Sequence, residues 1–142
     1  MELDTHVSVL LGNGDGSLGN LKVYPAGYVS HSVALGDLNG DSHPDLVAPV
    51  FFGSVATILM GNGAGGFAAA PAFSISQAAT QIAAADWSGD GSPDLVVGHG
   101  GNANISSILD GDGNGGFTNC GNPDHVPSDL ARPWGLRRRR DD

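Results

Sequence analysis

Apolar residues fall into short clusters separated by runs rich in glycine and aspartate. Val7 to Leu11 is apolar and β-branched, and the Gly-Asn-Gly-Asp-Gly run beginning at Gly12 reads as a turn. Leu21 to Tyr24 alternates, Ser32 to Leu35 is short, and Leu46 to Val50 follows an acidic loop. This pattern predicts about four short strands joined by tight turns in roughly the first 50 residues. No apolar run approaches the roughly 20 residues that a membrane-spanning helix needs.

The pattern then returns. VSVLLGNGDGSL from Val7 aligns with VATILMGNGAGGF from Val55 and ISSILDGDGNGGF from Ile105, with Gly12, Gly61 and Gly111 spaced 49 and 50 residues apart. A second marker keeps the same register: ALGDLNGDSHPDLV from Ala34 and AAADWSGDGSPDLVV from Ala83 place Asp37 and Asp86 49 residues apart. Two independent markers with one period define a repeat of about 49 residues. Its frame is taken as 1–52 for the first unit, 53–103 for the second and 104–142 for a partial third.

A four-stranded unit of that length has the size of a β-propeller blade. The GNGDG and GNGAGGF hairpins, with the DLNGDSHPDL and DWSGDGSPDL loops, resemble FG-GAP or VCBS-type repeats, the blades of integrin α-subunit propellers and of many bacterial secreted proteins. The resemblance covers roughly residues 5 to 118. The expected fold is therefore all-β, an incomplete propeller of about 2.5 blades. In the third unit the acidic loop should open at Leu136, where Arg137 to Arg140 and Asp141-Asp142 stand instead. Closed propellers use typically four to eight blades, so the expectation is a fragment, a truncated or frame-shifted product, or a subunit that completes its ring by association.

The candidate chemistry lies in the two acidic loops. Asp37, Asn39, Asp41 and Asp45 occupy positions 1, 3, 5 and 9 of one loop, and Asp86, Ser88, Asp90 and Asp94 the same positions of the other. Oxygen donors at alternate positions of a tight loop can converge on one hard cation, and position 7 would add a backbone carbonyl, from His43 and from Ser92. Three carboxylates brought close together repel one another until a cation offsets the repulsion. The resemblance implies calcium at these positions, about two ions in all. Position 6 calls for left-handed backbone, which Gly91 adopts freely and Ser42 does not. No glutamate stands at position 12 and no helical pattern flanks either loop, which disfavours an EF-hand.

Composition narrows the remaining classes. The 142 residues include 23 Gly and 8 Pro, about twice the ordinary share, which rules out a helical bundle. Of 15 acids 14 are Asp, a residue of turns and hard-cation loops. Residues 1–131 carry 13 acids against Lys22 alone, so a nucleic-acid partner is disfavoured. Cys120 stands alone, which excludes an intrachain disulfide, and the start lacks a secretory signal pattern. Gly61-x-Gly63-x-x-Gly66 and Gly111-x-Gly113-x-x-Gly116 fit the dinucleotide fingerprint, but no helix follows them. Asp110, Asp112 and Asn114 read as a hairpin turn rather than a third cation loop. His6, His31, His43, His99 and His125 share no ligand spacing, and no nucleophile elbow occurs. Trp87 is expected to pack between blades, and the Arg137 to Arg140 run to be a solvated tail.

The function expected from these features is a calcium-binding, non-catalytic propeller segment. The resemblance adds an extracellular or cell-surface setting and a role in adhesion or in protein or ligand interaction. The alternative is a carbohydrate-binding module, or an accessory domain of a polysaccharide-active enzyme.

Overall fold

A computed structural model describes residues 6–28, 32–51, 53–75, 79–99 and 106–121. Ten strands account for the regular structure, and no helix occurs among the described residues. They are β1 (His6–Val9), β2 (Lys22–Pro25), β3 (Ala34–Gly36), β4 (Asp45–Pro49), β5 (Val55–Gly61), β6 (Phe67–Ser74), β7 (Ala79–Ala85), β8 (Asp94–His99), β9 (Ser106–Gly111) and β10 (Phe117–Gly121). The first four lie within one or two residues of the strands read from the pattern.

All pairing is antiparallel between chain neighbours. β1 and β2 form a hairpin, β3-β4-β5-β6 one four-stranded sheet and β7-β8-β9-β10 a second, none of them closed. The all-β expectation is met. The sheets group residues 34–74 and 79–121, whereas the frame drawn from the sequence cuts each sheet between its second and third strands. A repeat can be cut at any point, and the two frames differ by half a unit. The Leu136 to Asp142 stretch, with Arg137 to Arg140, lies outside the described residues, as do Trp134, His31 and His125.

One core joins the two four-stranded sheets. Val47, Ala56 and Ile58 from the first meet Ala79, Ile82, Leu95, Val97 and Leu109 from the second, with Leu38 and Ile75 filling between. β4 is buried along its whole length, which suits its unbroken Leu-Val-Ala-Pro run. β6 is an edge strand and carries Pro71 beside a register shift opposite Thr57, a position where no ladder donor is required. Tyr24 and Phe67 meet edge to face, with centroids 5.4 Å apart, where the hairpin joins the first sheet. An open groove of about 380 Å³ remains there, with Val7, Val9, Leu35 and Leu46 among its walls.

Candidate metal centre

Both acidic loops leave the first strand of a sheet and return as its second. In loop one, Asp37 Oδ1 accepts the N–H groups of Gly40 and Asp41 (2.8 and 3.0 Å), and Oδ2 that of Ser42 (2.8 Å). Asp41 Oδ1 accepts from His43 N–H at 2.8 Å. Asn39 joins the two, its Oδ1 accepting from Asp41 N–H at 3.1 Å and its Nδ2 donating to Asp41 Oδ2 at 3.0 Å.

Loop two repeats the scheme. Asp86 Oδ1 accepts from Gly89 and Asp90 (2.7 and 3.2 Å), Oδ2 from Gly91 (3.1 Å), and Asp90 Oδ1 from Ser92 (2.8 Å). The backbone follows suit. Gly40 and Gly89 at position 4 both have φ 76°, and position 6 is left-handed in each loop, Ser42 at 68° and Gly91 at 96°. Ser42 is the one non-glycine residue with positive φ among the described residues. Ser42→Gly is therefore expected to stabilise the fold by about 0.5–1 kcal/mol in urea denaturation, relief of the side-chain clash exceeding the added chain entropy.

Asp45 and Asp94, at position 9, have a role that the sequence reading missed. Both are buried, at 0% and 1% exposure. Asp45 accepts from Leu38 N–H (2.9 Å) through one oxygen and from Gly61 N–H (2.7 Å) through the other. Asp94 accepts from Trp87 and Ser88 (2.8 and 2.7 Å) and, through its other oxygen, from Gly111 (3.0 Å). Each carboxylate thus ties the start of its loop to the end of the third strand. The signal lay in the repeat: each Pro-Asp-Leu recurs with a Gly-Asn-Gly or Gly-Asp-Gly run after it.

Oxygen chemistry and convergence give different answers on the cation. The donors are all hard oxygens, and a carboxylate oxygen that accepts one N–H keeps a second lone pair for a metal. The Ser88 hydroxyl, at position 3 of loop two, is buried and has no hydrogen-bond partner among the described residues. Lys22 is the one Lys or Arg among those residues, and it donates to the Gly65 carbonyl at 3.0 Å rather than to a carboxylate. In kind and charge the loops fit calcium. In geometry, no three His, Cys, Asp or Glu side chains among the described residues form a group that could hold a metal ion. The structure brings Asp37, Asn39 and Asp41 together through hydrogen bonds and turns Asp45 toward the interior.

Local bonds set the acidities. The His43 N–H, then the Asn39 amide, hold the Asp41 carboxyl below the ordinary carboxylate range. Asp110, at the end of β9, is pushed up by loss of water, by a hydrogen bond with Asp94 and by the charges of Asp94 and Asp90. A raised carboxyl favours folding at low pH, and that contribution is lost as pH rises through the folded value. Asp110→Asn should therefore leave stability unchanged at about pH 3 and raise it near pH 6, as thermal melts at the two pH values would show.

The third acidic stretch closes as a turn, as expected. Asp112 N–H donates to Gly116 O at 3.0 Å, and Asp112 Oδ1 accepts from Asn114 and Gly116 at 2.8 and 2.9 Å. Asn62 makes the same bonds to Ala64 and Gly66. Trp87 departs from expectation: it is 61% exposed, because no further sheet among the described residues lies over loop two. The chain matches no protein-family model and no curated protein. No helix among the described residues is long and apolar enough to cross a membrane.

Proposed function

We propose that the chain is a non-catalytic stretch of a β-propeller of FG-GAP or VCBS type, each blade of which binds one calcium ion in its acidic loop. The observation that carries this reading is the doubled loop: identical bonding of Asp37 and Asp86, left-handed backbone at the same two positions, and, among the described residues, no Lys or Arg against either cluster. Asp37, Asn39, Asp41, Asp45 and the His43 carbonyl would hold one ion. Asp86, Ser88, Asp90, Asp94 and the Ser92 carbonyl would hold the other. Affinities of about 10⁻⁴ to 10⁻³ M, typical of extracellular modules, match an extracellular or cell-surface setting, where calcium is plentiful. The propeller would serve adhesion or display a ligand-binding surface. Isothermal titration with calcium is expected to show about two ions per chain, falling to about one in Asp41→Ala or Asp90→Ala and to none in the double variant. Absence of calcium heat in the unmodified protein would sink the reading.

The exposure of Trp87 favours a second reading, a carbohydrate-binding module that stacks a sugar on the indole. Glycan binding that persists in chelator and disappears in Trp87→Ala would support it over the first.

A further inference from the structure

The sequence holds four Asn-Gly pairs, beginning at Asn13, Asn39, Asn62 and Asn114, and all four lie within the described residues. In such a pair the glycine nitrogen can attack the asparagine side-chain amide, because glycine brings no Cβ to obstruct the approach. The fold treats the four glycine N–H groups differently. Gly40 N–H donates to Asp37 Oδ1 at 2.8 Å, and both ends of the Asn39 amide are bonded to Asp41. Gly115 N–H donates to the Leu38 carbonyl at 2.8 Å, which seats that hairpin on loop one. Gly14 and Gly63 N–H donate to no group among the described residues, and Asn13 and Asn62 are both exposed.

Asn62 and Asn13 then differ at the carbon under attack. Asn62 Oδ1 accepts from Ala64 and Gly66 N–H at 3.0 and 2.9 Å. Attack at Cγ places negative charge on that oxygen, where two N–H groups already point, as in an oxyanion hole. Asn13 is held through its nitrogen instead: Nδ2 donates to Ser17 Oγ at 2.9 Å, and the Ser17 N–H goes to Asp15. The product of the reaction also fits at position 62. Asp112 stands 50 residues on in the same turn, and its Oδ1 accepts from Asn114 and Gly116 as Asn62 Oδ1 does from Ala64 and Gly66. A carboxylate at position 13 would instead face Asp15 across the Ser17 hydroxyl that both contact.

We propose that Asn62 is a site of spontaneous deamidation assisted by its own turn. Gly63 N gives its proton to solvent and bonds to Asn62 Cγ, the Cγ–Nδ2 bond breaks, and Nδ2 takes a proton from water and leaves as ammonia. Water then opens the cyclic imide. Addition at Cγ leaves aspartate with the main chain on its original course, and addition at the backbone carbonyl routes the chain through the side chain as isoaspartate. The net change is one water consumed and one ammonia released, with no oxidant or reductant. Each conversion adds a negative charge to a turn that packs on loop one, where the His43 ring lies 2.6 Å from the place a Cβ on Gly63 would take. The inference rests neither on the blade reading nor on calcium.

Peptide mass mapping of the full chain, incubated at mildly alkaline pH with and without urea, tests it. In native buffer Asn62 should convert ahead of Asn13, and about ten-fold or more faster than Asn39 and Asn114, whose glycine N–H must first leave a hydrogen bond. In urea, which removes the turn, Asn62 should lose its lead and the four rates should draw together. Ala64→Pro deletes one of the two N–H donors, so it should slow Asn62 several-fold and leave Asn13 unchanged, in protein whose circular dichroism matches the parent. Asn62→Asp should fold like the parent, as the Asp112 turn does. Asn13 converting ahead of Asn62 in native buffer, Asn39 or Asn114 keeping pace with it, or the same order of rates in native buffer and in urea overturns the proposal.

Discussion

Gly61→Ala is expected to abolish cooperative folding at 25 °C. The added methyl would stand well inside van der Waals contact of the Pro44 carbonyl oxygen, 3.1 Å from the Pro44 carbonyl carbon and 3.3 Å from the Phe67 ring. Backbone atoms cannot rotate away as a side chain can, so β4 and β5 must part. Parting them breaks the Gly61 N–H bond to Asp45 at 2.7 Å, a buried bond to a carboxylate. Overpacking costs about 1–3 kcal/mol and the charged hydrogen bond about 1.5–3 kcal/mol, together approaching the lower range of whole-domain stabilities. Gly111→Ala meets the same obstacle at Pro93 and should behave alike. Gly12 holds the equivalent place in the β1–β2 hairpin, but no atom of the described residues lies within 4 Å of its Cβ position, so Gly12→Ala should change stability by no more than about 0.5 kcal/mol. Urea denaturation of the three variants checks this. Equal losses at all three positions would mean that the contact with the proline carbonyl does not decide the outcome.

Asp45→Ala and Asp94→Ala should each cost about 3–5 kcal/mol, with or without calcium, because a buried carboxylate is removed from the N–H groups that it accepts. Asp45 leaves two such groups, on Leu38 and Gly61, and Asp94 leaves three, on Trp87, Ser88 and Gly111. Asp41 differs. It is exposed, and its bonds go to His43 and Asn39 within one loop. Asp41→Ala should therefore lose little in chelator and lose stability only relative to the calcium-loaded parent. Melting temperatures of the two variants in the two buffers separate the clamp from the cation site. A loss in Asp45→Ala confined to calcium buffer would remove the clamp role and leave Asp45 a ligand alone.

Local features were legible in the sequence, and longer-range ones were not. The strand that becomes β4 and the turn at Gly12 follow from short-range pattern, since a run of β-branched and apolar residues or a Gly-Asn-Gly turn declares itself within a few positions. So does the strain at Ser42, because the aligned Gly91 marks the position as left-handed. The spacing of Asp37, Asn39, Asp41 and Asp45 suggests four equal ligands, whereas the fold distinguishes them: Asp37 and Asp41 organise an exposed loop, and Asp45 is sealed beneath it. That difference depends on Gly61, 16 residues away, and on sheet pairing that no local pattern encodes. Trp87 fails for a related reason. Its counterpart Leu38 is buried by the sheet that follows, and the burial of such a residue depends on what comes next in the series rather than on the residue itself.

Thermal unfolding in about 10 mM calcium against chelator tests most directly whether the acidic loops are cation sites. Two sites with dissociation constants near 1 mM would add about 2.8 kcal/mol to the folded state, a rise of several degrees in Tm that the Asp41→Ala, Asp90→Ala double variant should lose. Superimposable melting curves for the unmodified protein in the two buffers, or an equal rise in the double variant, would contradict the account.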